Sequence, residues 1–210
     1  MTVTVTSAAT SDHRKTPPDE SAIRRALHGK CLRHHRRHSD TIVVDELGLA
    51  HARCRIDIAV INCSIHGYEI KSDLDTLMRL PQQLEFYAMT LQKLTLVVGA
   101  RHLEAVATML PSWVGLVEIK IGPRGGISFD HIRPARTNPD LDPFMFVHLL
   151  WRGEAEEALQ ALGAPRGSHR ATRKELYADL VEALSAAELT ALIKRAMRQR
   201  QGWRALPSPA

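Results

Sequence analysis

The chain has 210 residues, 44% apolar and 24% charged, with three cysteines and a formal charge of +5. That length suits one domain, or one domain with an appendage, and no run of about 18 apolar residues is present to cross a membrane. Cys31, Cys54 and Cys63 are too few for a disulfide scaffold, and no basic stretch leads into an apolar run at the N-terminus. A reducing, cytoplasmic setting is expected.

Charge is spread unevenly. Residues 1–40 hold 8 basic and 4 acidic side chains, 41–150 hold 10 and 12, and 151–210 hold 10 and 7. Basic ends around a slightly acidic centre admit a nucleic-acid partner without requiring one.

In chain order, residues 1–20 are rich in Thr, Ser, Ala and Asp, end near Pro17-Pro18, and read as a disordered tail. Asp19 or Ser21 can cap a helix running to about His38, with Ile23, Ala26, Leu27 and Cys31 as its apolar stripe. Three strands follow, at Thr41–Val44, Arg55–Ile61 and Tyr68–Lys71. Pro81 suits the first turn of a helix continuing through Leu91. Leu94–Val98 reads as a strand buried on both faces, 101–110 as a helix, and Val114–Ile121 with Ile127–Ile132 as a hairpin around Gly122–Gly126. After the turn-rich Asn138–Pro143, helical patterns dominate: 143–152, 153–162, 171–185 and 187–201. The chain thus divides into a tail at 1–20, an α/β core at 21–138 and an all-helical extension at 139–210.

Polar residues inside the second and third strands are the most informative feature. Asp57 lies among Ile56, Ile58 and Val60, where a carboxylate is costly unless paired or metal-bound. Glu69 and Lys71 flank Ile70, so the strand period of two puts both on one face. A five-residue loop at 62–66 would set Asp57 opposite Lys71 and diagonal to Glu69. Two carboxylates beside a lysine suit metal-assisted phosphodiester hydrolysis, with hard oxygen ligands for Mg²⁺ or Mn²⁺. Glu118-Ile119-Lys120 repeats the spacing but has no acidic residue between 105 and 117, so it is expected to be structural.

Arg55-Ile-Asp-Ile-Ala-Val followed by Tyr68-Glu-Ile-Lys-Ser72 resembles the core of the PD-(D/E)xK nuclease superfamily. Gln83-Leu-Glu-Phe-Tyr87 resembles the Gln-x-x-x-Tyr helix motif of its RecB-like branch, and Gln83 and Tyr87 at i and i+4 share one helix face. Leu80-Pro-Gln-Gln, Leu96-Val-Val-Gly99 and Leu149-Leu-Trp-Arg152 resemble a bacterial and phage-associated subgroup. The resemblance implies a restriction-endonuclease-like mixed sheet flanked by helices. It makes Asp57 and Glu69 metal ligands and Lys71 the catalytic lysine, with Gln83 and Tyr87 at the site. Glu46 corresponds to the acidic residue such proteins often place upstream, on the first helix or its exit. Ile56 stands where the family has proline. Asp73 and Asp75 are extra acids, expected as helix-start caps.

The implied activity is a Mg²⁺- or Mn²⁺-dependent deoxyribonuclease, with Arg33, Arg36 and Arg37 on the first helix against the DNA backbone. The alternative is a non-catalytic nucleic-acid- or protein-binding module on the same fold. Protein partners and homo-oligomerisation are left open. Cys31, His34, His35 and His38 share a helix face, but four ligands on one helix cannot easily close a zinc tetrahedron. His66 and His102 are expected as loop or capping residues, the three tryptophans as packing, and the basic run 194–204 as a solvated helix end.

Overall fold

The computed structural model describes residues 17–163 and 171–200; the expected tail up to residue 16, Trp203 and Arg204 lie outside them. Six strands form one mixed sheet in chain order: β1 Ile42–Leu49, β2 Cys54–Ile61, β3 Ile65–Lys71, β4 Lys93–Gly99, β5 Gly115–Ile121 and β6 Ile127–Arg133. β1 to β3 run antiparallel by hairpins, β3, β4 and β5 run parallel, and β6 returns antiparallel. The parallel steps are bridged by α2, Leu80–Thr90, and α3, Leu103–Met109. Both helices contribute to the apolar layer on one face of the sheet, as expected when parallel crossovers share one hand. This is the mixed α/β sheet with flanking helices that the sequence implied.

α1, Glu20–Lys30, covers the other face, burying Ile23, Leu27 and Leu32 against Ile58, Ile70, Val97 and Val117. Asp19 caps it by accepting the Ala22 N–H at 2.7 Å. The helix ends at Lys30, not near His38, because Cys31 and Leu32 both donate to the Leu27 carbonyl and Leu32 turns into the core. Cys31, His34, His35 and His38 therefore do not share a helix face. Helices α4 Pro143–Val147, α5 Arg152–Ala161, α6 Arg173–Ala183 and α7 Ala186–Gln199 make up the C-terminal extension. Their apolar side chains, among them Phe146, Leu159, Tyr177 and Ile193, join the same cluster as Ile56, Leu96 and Val98. The extension shares the sheet's core.

Two irregularities shape the first hairpin. On β1, Ile42 and Val44 face the larger cluster, and so do Leu47 and Leu49, so the alternation skips one residue between them. On β2, Cys54 and Ile56 face it, then Ala59 and Ile61. The skips coincide, because Glu46 and Asp57 would form the pair missing between Asp45↔Ile58 and Leu47↔Ile56. Glu46 has φ 55°, a left-handed conformation that switches the strand's facing. The second irregularity is the turn, where Ala50, His51 and Ala52 all have positive φ, at 48°, 58° and 63°.

The hairpin between β2 and β3 closes on three residues, Asn62–Ser64, with Ile61 opposite Ile65. Asn62 holds it by accepting the Ser64 N–H at 3.2 Å. This register, with Ile58 opposite Tyr68, brings Asp57 alongside Glu69 and not Lys71. The expected five-residue loop was two residues too long, which preserves the face but shifts the partner.

Candidate active site

The acidic side chains gather in a cleft of about 460 Å³ at the β3 C-terminal end, between α1, the first hairpin and α2. Asp57 sits where β2 stops pairing with β3, and its Oδ2 accepts the Ile70 N–H at 2.6 Å. A carboxylate thereby replaces a missing rung of the ladder. Burial pushes Asp57 up to about 8, with the Glu69 and Glu20 charges adding to it and the Ile70 N–H and Arg24 opposing it.

Glu69 is 2% exposed and Lys71 8%. The Lys71 ammonium donates to Glu69 Oε1 at 2.7 Å, and Gln83 Nε2 donates to the same oxygen at 3.0 Å. The Tyr87 hydroxyl donates to Glu69 Oε2 at 2.6 Å, lies 2.9 Å from the Arg55 carbonyl, and accepts from Gln83 Nε2 at 3.3 Å. Burial and the Glu69 charge push Tyr87 far upward, so it stays a donor. One turn of α2 separates Gln83 from Tyr87, and that spacing puts both against one buried carboxylate.

Glu46 lies across the hairpin from Asp57, and Glu20 arrives from the first turn of α1. One oxygen from each of Glu20, Glu46 and Asp57 lies within 4.8 Å of the other two. Arg24, one turn after Glu20, hydrogen-bonds both Glu20 and Glu46, and its Nη2 reaches Asp57 Oδ1 at 3.5 Å. Burial opposes the Arg24 charge, but the pairing with Glu46, Asp57 and Glu20 outweighs it and raises its affinity for the proton. Exposed Arg53, Arg55 and Arg79 rim the cleft, and Arg55 also pairs with Glu46 at 3.3 Å.

The structure thus brings Asp57, Glu69, Lys71, Gln83, Tyr87 and Glu46 together. Arg33 and Arg37 are not among the described residues that line the cleft; they follow the C-terminal end of α1, whereas Glu20 and Arg24 occupy its first turns, and the Arg36 side chain lies outside what the structure describes. His66 begins β3, away from the cleft, with Nε2 2.8 Å from Thr95 Oγ1 and its ring 4.4 Å from Tyr68. His102 donates to the Asp75 carbonyl at 3.0 Å. Asp75 accepts from the Ser72 N–H and hydroxyl, and Asp73 from the Arg101 N–H, so these acids tie a turn and the β4–α3 connection; the α2 N-cap is Arg79. Lys194 and Arg198 reach Asp40. Trp113 is buried, but Trp151 is exposed.

A family model described as bacteriophage P4 protein cII matches residues 14–205. The chain belongs to that family. Protein cII of enterobacteria phage P4 is 29% identical over 148 residues, which cover 70% of this chain and 53% of that protein. The chain spans about half the length of this curated relative. No solved structure matches it. The family makes the chain phage-associated, and no helix among its described residues is long and apolar enough to cross a membrane.

Besides the rim arginines Arg53 and Arg79, sequence reasoning misses two residues of this family member's cleft, Glu20 and Arg24. An acid in the first turn of a helix usually serves the helix dipole, which masks any other role. The signal available was their i, i+4 spacing on the helix just before β1.

Proposed function

We propose that the chain is a Mg²⁺- or Mn²⁺-dependent nuclease of the PD-(D/E)xK type that hydrolyses DNA phosphodiester bonds. The observation carrying this reading is the convergence of Asp57, Glu69 and Lys71 in one cleft, with Gln83 and Tyr87 fixing Glu69. The donor set fits the ion. Glu20, Glu46 and Asp57 offer three hard carboxylate oxygens from three separate elements, the class that selects Mg²⁺ and Mn²⁺ over softer metals. When bound, the ion would supply Lewis-acid activation of the scissile phosphate and of water.

The chain's own residues account for the rest. Lys71 Nζ, anchored by Glu69, would orient the attacking water and meet charge developing on the phosphoryl oxygens. Gln83 and Tyr87 keep Glu69 in one rotamer, so Lys71 cannot wander. Arg53 and Arg79 on the rim would hold flanking phosphates. Purified protein with Mn²⁺ is expected to nick or degrade DNA, and Asp57→Ala or Lys71→Ala to abolish this. Unchanged activity in both variants would overturn the assignment.

Arg24 favours a second reading. Its guanidinium already bonds the acids that would hold the ion, as suits a non-catalytic nucleic-acid- or protein-binding module. Calorimetric titration with Mn²⁺ separates the two, since the module has no use for the ion.

A further inference from the structure

Next to the acidic cleft, with Ala52 in both walls, lies a second hollow of about 340 Å³. It forms where the β1–β2 turn meets the helical extension. His51 comes from the turn, His148 from the end of α4, Trp151 from the start of α5, Arg173 from the first residue of α6 and Arg200 from just beyond α7. Its chemistry is the reverse of its neighbour's, with no carboxylate among the described residues lining it.

Rings from three elements meet along the hollow. His51 and His148 stack with centroids 4.5 Å apart at 28°, and His51 lies nearly parallel to Tyr177 at 5.8 Å and 15°. Burial lowers both histidines, with Arg173 and Arg53 adding to it; for His148, His51 also adds and Asp142 opposes. Trp151 is 55% exposed, an unusual position for so much apolar surface. The Arg200 guanidinium sits 4.3 Å over its ring and is itself clamped by Glu154 at 2.6–2.7 Å and by the Leu149 carbonyl. The indole is thus buttressed from one side. Arg173 is exposed, 3.5 Å from His51 Nδ1, and makes no ion pair among the described residues.

Backbone strain marks the same place. Three consecutive non-glycine residues, Ala50, His51 and Ala52, are left-handed, a conformation their Cβ atoms disfavour. Such conformations persist where surrounding packing over-determines them, often at functional sites.

We propose that this hollow seats one nucleotide of a single-stranded nucleic acid whose adjoining phosphodiester lies in the acidic cleft. Trp151 and His51 take the base by stacking, which every base permits, while Arg173 and Arg53 take phosphate oxygens. The volume lies near the lower end of the roughly 300–1,000 Å³ that small-ligand pockets span. That fits one nucleotide and excludes a duplex, whose bases show only their edges. The inference rests on reading the acidic cleft as a nucleic-acid site.

The test is fluorescence anisotropy of a labelled oligothymidine in Ca²⁺, with Mn²⁺ titration and DNA cleavage measured on the same proteins. Trp151→Ala is expected to weaken single-strand binding about tenfold, with Trp151→Phe close to wild type. Arg173→Glu should weaken it and flatten its salt dependence. The duplex should bind more weakly than the single strand, and both substitutions should leave Mn²⁺ affinity unchanged. The hollow is overturned if wild type does not bind the single strand, prefers duplex, or binds no better than Trp151→Ala and Arg173→Glu. Cleavage and Mn²⁺ binding that survive such a result leave the nuclease reading standing. Binding lost in both variants, from a protein that takes no Mn²⁺ and cuts nothing, keeps the hollow and removes the nuclease.

Discussion

The chain spells Glu-Ile-Lys twice, at 69–71 on β3 and at 118–120 on β5, and the two copies have different surroundings. Both central isoleucines pack into the cluster under α1, so both Glu–Lys pairs lie on the opposite face. Both glutamates are buried, and both lysines pair with them, at 2.7 and 2.6 Å. In the first copy α2 lays Gln83 and Tyr87 on the carboxylate, and β2 brings Asp57 alongside. In the second, the carboxylate pairs with Lys120 alone among the described residues, Lys120 has a half-exposed side chain, and the strand opposite contributes Asp130. Three letters at a fixed spacing set only a shared face. The elements packed over that face decide whether it can hold chemistry.

The largest expected effect breaks the comparison outright. Lys71→Met should lower DNA cleavage by roughly 10²-fold or more, whereas Lys120→Met should cleave as wild type in the same assay. Next, Tyr87→Phe removes a donor from buried Glu69 and should cost about 1–3 kcal/mol in urea denaturation. Among the described residues no helix donor serves Glu118, so Lys120→Met leaves that buried carboxylate without its ion-pair partner and should cost a similar amount, about 1–3 kcal/mol, while sparing cleavage.

Arg24 sharpens the contrast further, because only the first copy has an internal cation competing for its acids. Arg24→Met should raise Mn²⁺ affinity about tenfold, a gain of about 1.4 kcal/mol, and lower the melting temperature of the metal-free protein. Unchanged Mn²⁺ affinity would show that the guanidinium and the ion do not share a site. A last contrast, with no effect near neutral pH, concerns the far end of β3. Burial first, then Lys93 and His35, lower His66 to about 3. An unfolded histidine titrates near 6.5, so the folded chain resists a proton the unfolded chain accepts. The His66 contribution is therefore complete above about pH 6.5 and is lost as pH falls from there toward 3, by about 1.4 kcal/mol per unit. His66→Gln should flatten this acid limb of stability, and β5 has no histidine to produce one.

Much of the fold was legible because apolar periodicity survives translation into contacts. Leu94–Val98 reads as a doubly buried strand and is one, and the hairpin around Gly122–Gly126 joins β5 to β6. The first helix was read too long because its His- and Arg-rich end keeps helical spacing, while Leu32 leaves the helix to reach the core. Parity put Glu69 and Lys71 on one face, but β2 breaks its alternation at Asp57, and the partner of Asp57 depended on the turn at Asn62–Ser64, where one Asx bond shortens the loop. Glu20 and Arg24 stayed hidden behind ordinary helix-end chemistry. The basic hollow could not be read at all, since His51 and Arg173 lie 122 positions apart and meet only through the shared core.

Asp57 gives the cleft a persistence of its own. Because its carboxylate takes the Ile70 N–H, the residue is a rung of the sheet as well as a wall of the site. Losing it leaves a strand amide unanswered in the interior, a defect that folding itself selects against. The acid can therefore be retained in descendants of this chain whether or not anything is being cut, and Lys71, which braces no backbone, is the residue whose presence or loss reports on the chemistry.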